Sequence, residues 1–352
     1  MAVSSPPSPR AAERGSRPLI AIVGATGTGK SALGVDLARS LVDRGITAEI
    51  VNADAMQLYR GMDIGTAKLT DRERAGIRHH LLDVCAVTDE ASVSWYQTAA
   101  RTVIEELWHR GVVPILVGGS GLYVSAVLFD FDFPGHDDAI RRRLETELES
   151  SGLPILVHRL REEAPEVAAL IDARNARRVV RALEVLELTG DASRLGHLDG
   201  QGTEWTSDVI IVRCQAERDV LVRRLDERVE AMWRRGLVDE VRRLIPEGIA
   251  DGVTARRAIG YAQALGQIDG TVTEAEAIAE TQALTRRYAR RQVSWFRRYA
   301  ATYEVDTTDA RAWRLESSGV DAMLTGNTDP GTSPEVVAER LASAYLAGHL
   351  AL

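Results

Sequence analysis

"PLIAIVGATGTGKSALG", residues 18–34, decides the fold. "PLIAIVG" is a continuous apolar run ending on glycine, the pattern of a strand buried on both faces in a parallel sheet. Beyond it, Leu33, Leu37 and Leu41 recur at i, i+4 and i+8, and Gly45 stops that helix. Between strand and helix lies G-x-x-x-x-G-K-S, formed by Gly24, Ala25, Thr26, Gly27, Thr28, Gly29, Lys30 and Ser31. Strand, glycine loop and helix in that order make a phosphate loop. Its amides and the helix N-terminus form an anion nest, Lys30 reaches a terminal phosphate and Ser31 can ligate Mg²⁺. A dinucleotide-binding turn fits poorly, because Lys-Ser follows the last glycine. The loop alone does not distinguish ATP from another phosphate ester.

Working outward, "TAEIVNAD" (47–54), "HHLLDV" (79–84), "PILVGG" (114–119) and "SDVIIVRC" (207–214) read as further strands, with helical stretches such as 95–110 between them. The expected fold is α/β: a P-loop NTPase-like, doubly wound parallel sheet core with its ligand at the carboxyl ends of the strands. From residue 134 the chain turns helical, charged and strand-poor, so 134–200 is read as a helical insertion domain. It divides the core into 18–133 and 201–306, the second part ending in a basic helix. The tail, 307–352, holds a loop-like "TGNTDPGTSPE" and then a short helix, with no role assigned. Residues 1–17 are Pro/Ser-rich without an apolar h-region, so a disordered leader is expected and not a signal peptide.

Composition narrows the class. No apolar run approaches the roughly 20 residues that span a bilayer, so no membrane partner is expected. Cys85 and Cys214 lie far apart and form no Cys-x-x-Cys pair, which argues against a zinc or disulfide framework and for the cytoplasm. A net charge of −8 argues against a chain coated in nucleic acid but permits a local basic patch. Of 43 Lys plus Arg, only Lys30 and Lys68 are lysine. In a chain drifted to arginine, a retained lysine marks a place for a compact ammonium, the alternative for Lys68 being chance.

Asp54 ends the second strand, facing the same crevice as the loop. There it is a Mg²⁺ partner, a general base, or a capping residue. Gln57 and Tyr59 follow at a spacing suited to hydrogen-bonding and stacking with a planar group. In "VGGSGLYV" (117–124), Gly118 and Gly119 allow close backbone approach, and Ser120 offers a hydroxyl. The basic helices carry more weight. Arg174, Arg177, Arg178 and Arg181 share an arc of about 100°, opposite Val179, Leu183 and Leu186. In "LTRRYARRQVSWFRRY" (284–299), Arg286, Arg287, Arg290, Arg291, Arg297 and Arg298 share an arc of about 140° with no Asp or Glu in the stretch. Such a face needs an anion across it, and a polyphosphate such as RNA fits. His79 and His80 begin a strand and read as structural.

"GATGTGKS", "DAMQLYRGMDIGTAK", "HHLLDV", "VGGSGLYV", "RRVVRALE", "IGYAQ" and "TRRYARRQVSWFRR" occur in the order seen in bacterial tRNA dimethylallyltransferases. The resemblance spans about residues 18 to 306. It implies that the loop holds the diphosphate of dimethylallyl diphosphate, with Mg²⁺ touched by Ser31. The five-carbon group then passes to N6 of the adenosine 3′ of the anticodon. It implies Lys30, Asp54 and Ser120 as catalytic residues, Asp54 as the base, and Ser120 at the mouth of the channel where adenine meets donor. Asp54, Ala55, Met56 and Gln57 with Ser120 match stretches that hold the anticodon stem-loop. So do Arg257, Ala258, Ile259, Gly260, Tyr261 and Ala262, with Arg141, Arg177, Arg178, Val179, Val180 and Arg181 from the insertion. Arg287 and Arg291 belong to the basic helix, and a monomer is expected. The chain departs from the family pattern at Ala25 (proline is common), Ala55 (serine), Ser120 (threonine) and Arg174 (asparagine). The last cysteine being Cys214, no C-terminal zinc finger like that of eukaryotic members is expected.

Three other readings use the same core. A nucleotide or small-molecule kinase explains the loop and Asp54 but not the arginine–aromatic helix. An isopentenyltransferase acting on free AMP needs no RNA-sized basic surface. A non-catalytic RNA-binding module leaves Asp54 and Ser120 idle.

Overall fold

The computed structural model describes residues 18–131, 133–192, 204–206, 208–317 and 333–349. The predicted leader lies outside the described residues. Two compact units divide the chain, one running to Leu128 and resuming at Trp205, the other Phe129–Glu204.

The first unit is built on a seven-stranded sheet of order β3-β2-β4-β1-β5-β6-β7. Its strands are β1 (Leu19–Gly24), β2 (Ala48–Asn52), β3 (His79–His80), β4 (Val113–Gly118), β5 (Val209–Gln215), β6 (Tyr303–Asp309) and β7 (Ala312–Ser317). All pairings are parallel except β6 with β7. The apolar run of β1 lies between β4 and β5, with Ile22 opposite both Val117 and Val212, and every residue of the strand is buried. Helix α1 (Lys30–Val42) lays Leu33, Leu37 and Leu41 on this sheet against Ile20, Ile22, Ile50 and Ile115. The remaining helices of this unit are α2 (Asp71–Arg74), α3 (Val93–His109) and α4 (Gly121–Leu128), then α9 (Arg218–Arg234), α10 (Leu237–Leu244), α11 (Tyr261–Ile268), α12 (Glu274–Phe296) and α13 (Pro334–His349). None of the described helices is long and apolar enough to cross a membrane.

Three expectations about the core change. "HHLLDV" is not a six-residue strand: pairing stops after His80, because Leu81 and Asp83 both adopt φ 57° and turn the chain back. That turn brings the amides of Val84 and Cys85 to the carbonyl of Leu58. The second strand ends at Asn52, and Asp54 instead caps a 3₁₀ turn, Ala55–Leu58. The tail is no appendage: the core does not end at residue 306. β6 runs through Asp309, β7 folds back on it, and α13 packs Val337, Leu341 and Tyr345 into the same core as α1. "TGNTDPGTSPE" lies outside the described residues except for its last three positions, Ser333 just before α13 and Pro334 and Glu335 in its first turn.

The second unit is helical: α5 (Asp138–Ser151), α6 (Leu153–Glu163), α7 (Pro165–Leu170) and α8 (Ala176–Thr189). Its bounds are wider than the expected 134–200 by a few residues at each side. Leu144, Leu156, Leu160, Val179, Val180 and Leu183 give it a core of its own. Asp137 caps α5 and Asn175 caps α8, each side chain accepting from first-turn amides as expected of these residues. Within it, the fully buried Glu184 accepts from Arg141 Nη2 at 2.8 Å and pairs with Arg181 at 3.0 Å.

Candidate functional site

The carboxyl ends of β1, β2 and β4 carry the loops that meet at one crevice in the first unit. After β1, Gly27 and Gly29 take φ 83° and 81°, a region open to glycine. The amides of Gly27, Thr28, Gly29, Lys30 and Ser31 have no acceptor among the described residues, so the loop presents a row of free donors at the start of α1. Lys30 is buried, and its ammonium donates to the carbonyl of Ala25 at 2.7 Å. Burial lowers its pKa to about 8, against the opposing pull of Asp54 and with that of Arg228. A cation held at this cost in desolvation, beside unpaired amides, is organised for an anion.

After β2, Asn52 shapes the turn by donating to the carbonyls of Asp54 and Leu81. Asp54 accepts from the amide of Met56 at 3.0 Å. Burial raises its pKa, and this outweighs the Met56 amide and the cations Lys30 and Arg228, which pull it down. A carboxylate with raised pKa next to an anion site is a stronger base than a solvated one and is placed to take a proton. After β4, Ser120 Oγ accepts from the amide of Ala55 at 3.1 Å, tying the third loop to the second. A side chain at Gly119 would meet Gln292 Nε2 at 2.6 Å and Lys30 Nζ at 3.4 Å, so it would displace the Gln292 amide. Gly118 approaches backbone and not a ligand: its Cβ would fall 2.3 Å from the carbonyl oxygen of Ala53.

Two residues that the sequence reading missed complete the site. Arg228 on α9 donates from Nη2 to Thr26 Oγ1 at 2.9 Å, makes no salt bridge among the described residues and interacts with Asp54. Gln292 on α12 accepts from the amide of Thr26 at 2.9 Å and donates to the carbonyl of Gly119 at 2.7 Å, bridging two of the loops. Both break an apolar stripe that helix periodicity makes readable: Leu221, Leu225, Arg228, Met232 and Ala289, Gln292, Phe296. Tyr288, one turn before Gln292, lies beside Ser120 and Gln292, and burial pushes its pKa up to about 12.

The arginine face that runs along α12 and into the turn after it keeps five of its six arginines without a carboxylate partner among the described residues. Arg286 is paired with Asp226 of α9 at 2.6 Å. Arg287, Arg290, Arg291, Arg297 and Arg298 are exposed, with no carboxylate partner among the described residues. Arg291 and Arg298 lie over the rings of Tyr288 and Trp295. In the second unit, Arg177 and Arg178 are exposed and make no salt bridge among the described residues.

Several sequence-predicted site residues are committed to structure instead. Val179 and Val180 are core residues, and Arg141 and Arg181 neutralise Glu184. Ala258, Gly260 and Tyr261 are buried, with the Tyr261 hydroxyl donating to Glu240 at 2.6 Å. In that stretch Arg257 is exposed, with Ile259 and Ala262 partly so. Tyr59 is fully buried and donates to the carbonyl of Asp89, so it cannot stack on a ligand. Gln57 donates to the carbonyl of Thr66. Lys68 is a buried clamp, donating to Asp63 at 2.7 Å, Asp83 at 2.5 Å and the carbonyl of Tyr59 at 3.0 Å. The string "YRGMDIGTAK" therefore folds a loop that braces Asp54–Gln57, with Ile64 N donating to the buried Glu240. His80 Nε2 donates to the carboxylate of the buried Glu49 at 2.6 Å, a structural pairing as expected.

Comparison with known proteins then decides the family. The family model described as IPP transferase matches residues 57–299. A tRNA dimethylallyltransferase of Clavibacter sepedonicus is 58% identical over 294 residues, covering 84% of this chain and 95% of the relative. The chain belongs to the IPP transferase family. A second relative of the same name, from Thermobifida fusca, is 52% identical over 80% of this chain and 87% of its own. Among solved structures, the full-length tRNA isopentenylpyrophosphate transferase of Bacillus halodurans is 35% identical with TM-score 0.63, over 96% of this chain and 99% of its own. A eukaryotic dimethylallyltransferase described as acting on tRNA superposes with TM-score 0.70 at 27% identity, over 84% and 75%. The IPP transferase match begins at Gln57, after the phosphate loop and Asp54, so those residues rest on the geometry above.

Proposed function

We propose that this chain transfers the dimethylallyl group of dimethylallyl diphosphate to N6 of the adenosine 3′ of a tRNA anticodon, releasing pyrophosphate. The observation that carries the reading is the convergence of Lys30, Arg228 and the free loop amides on one side of Asp54, in a member of this family. An anion nest and a base of raised pKa, side by side, are what alkylation of a weak nucleophile demands. The adenine amine has its lone pair delocalised into the ring, so the leaving diphosphate must be stabilised as C1–O breaks. Lys30, the amides of Gly27–Ser31 and Arg228 supply that stabilisation. As N6–C1 forms, the Asp54 carboxylate accepts the N6 proton. Ser120, bonded to the Asp54 turn, and Tyr288 beside it line the meeting place of amine and donor.

Magnesium fits as a companion of the diphosphate. The Ser31 hydroxyl has no partner among the described residues, and no cluster of three or more His, Cys, Asp or Glu exists there to hold a metal by protein alone. Mg²⁺ suits such a site, because it keeps its waters and is held chiefly by substrate phosphates. When bound it would neutralise diphosphate charge beside Ser31.

The RNA is held by charge. Arg287, Arg290 and Arg291 of α12, Arg257, and Arg177 and Arg178 of the second unit are free to contact phosphates of the anticodon stem-loop, and a single-stranded loop lets adenine flip out cheaply. The enzyme acts as a monomer in the cytoplasm on this reading. Asp54→Asn tests the chemistry. It should keep tRNA affinity while turnover falls by about 10²–10⁴-fold, the usual worth of a general base. Unchanged turnover removes Asp54 from the reaction.

A further inference from the structure

The phosphate loop is gripped from two sides. A Cβ built on Gly27 would lie 2.9 Å from Leu225 of α9, and one built on Gly29 would lie 2.8 Å from both Cζ2 and Cη2 of Trp313. Trp313 stands on β7 and is 6% exposed. It comes from the C-terminal hairpin, beyond the residues that match the family model. Gly29 is the N-cap of α1, with φ 81° and no side chain to cap the helix. The indole therefore leaves no room for a side chain at this turn. A glycine-rich turn has more conformers to lose than any other segment, and an anion nest works only when its amides are already held together.

The rest of the tail fixes the indole. β7 pairs with β6 through Val305 opposite Leu315 and Asp306 opposite Arg314. Leu315 packs on the same core cluster as Trp313, two residues away on the same strand face. α13 adds Val337, Leu341 and Tyr345 to that cluster, beside the α1 residues Leu33 and Leu37. The hairpin and α13 therefore share one core with the helix that the phosphate loop begins.

We infer that Trp313 is a positioning residue for the donor diphosphate: its indole edge holds Gly29 in the left-handed conformation that keeps the Gly29–Ser31 amides in the nest. The inference rests on the reading of this loop as the donor site. Trp313 contacts no reacting atom in this account. Its removal should raise the donor KM without touching RNA affinity.

The test compares wild type with Trp313→Ala and Trp313→Phe. Binding of dimethylallyl diphosphate and of inorganic pyrophosphate, both with Mg²⁺, is measured by calorimetry, and binding of an anticodon stem-loop by fluorescence anisotropy. Freeing the backbone of about one residue should weaken diphosphate binding about tenfold and leave stem-loop affinity within about twofold. Trp313→Phe should recover most of the loss. Since removing a buried indole also opens a cavity, Trp313→Leu carries the same comparison if the alanine variant does not fold. Unchanged diphosphate affinity in a folded variant would overturn the inference. So would an equal loss of diphosphate and stem-loop affinity. Wild type binding pyrophosphate but not dimethylallyl diphosphate would sink the donor assignment, and pyrophosphate would still report on Trp313.

Discussion

Arg228→Gln is the substitution with the most to say about the site. The guanidinium donates to Thr26 Oγ1 at 2.9 Å inside the phosphate loop, and its charge acts on both Asp54 and Lys30. Burial lowers its own pKa, so the charge is held in a poorly hydrated place without a salt bridge among the described residues. Glutamine can keep the bond to Thr26 but supplies no charge to the leaving diphosphate. A hydrogen bond to a charged group is worth about 1.5–3 kcal/mol, so kcat/KM for the donor should fall about 10- to 100-fold. The pH profile gives a second readout with a definite sign. The Arg228 charge pulls the Asp54 pKa down and the Lys30 pKa down. Its removal lets both rise, so the acid limb and the alkaline limb should move together toward higher pH. Steady-state kinetics with varied donor, from about pH 5 to about pH 10, measures both effects. A variant with unchanged donor kcat/KM and unmoved limbs would refute the assignment of Arg228 to the diphosphate.

Three further outcomes are expected. Lys30 is lowered to about 8, so donor affinity in wild type should be level below that pH and weaken above it, by up to about tenfold per unit, as the free protein loses the ammonium; calorimetry showing level affinity through about pH 9.5 would take Lys30 away from the diphosphate. Arg287→Ala with Arg291→Ala should reduce the slope of log affinity against log salt for the stem-loop by about 1.4, the value for two contacts on a single strand; an unaltered slope would mean that this face does not touch RNA. Lys68→Met leaves Asp63 and Asp83 facing each other's charge without the buried ammonium, and since both carboxylates are partly solvated the loss should be about 2 kcal/mol, seen as a lower urea midpoint. An unshifted midpoint would mean that the clamp contributes nothing to stability.

What the chain announces and what it hides follow from how far each signal reaches. The phosphate loop, its strand and α1 are legible because local residue types fix them: an apolar run, glycines at positive φ and leucines at helical spacing. Asp54 and Ser120 are legible because each lies in the turn two residues past a strand, although the bond that joins Ser120 to the Asp54 turn is a long-range fact. Arg228 and Gln292 were hidden in arginine-rich helices, where one more polar residue draws no notice. Their signal was position, since each occupies an apolar stripe. The tail was misread because β7 has no tight-turn dipeptide before it: "TDARAW" joins β6 to β7 without Asn-Gly or Asp-Gly. "HHLLDV" misled for the opposite reason, its apolar pattern being sound while Leu81 and Asp83 turn under tertiary contacts. Lys68 and Tyr59, singled out as chemical, turned out to brace the loop beneath the chemistry.

The central claim is a transfer from one donor to one acceptor, and it can be met in a single reaction. Dimethylallyl diphosphate labelled in its allyl group is incubated with the protein, Mg²⁺ and unmodified tRNA carrying adenosine 3′ of the anticodon, with AMP and ATP present as competing acceptors. The account predicts label in tRNA, at that adenosine, and none in AMP or ATP. Label in the free nucleotides, or no transfer while ATP loses its terminal phosphate, would contradict it.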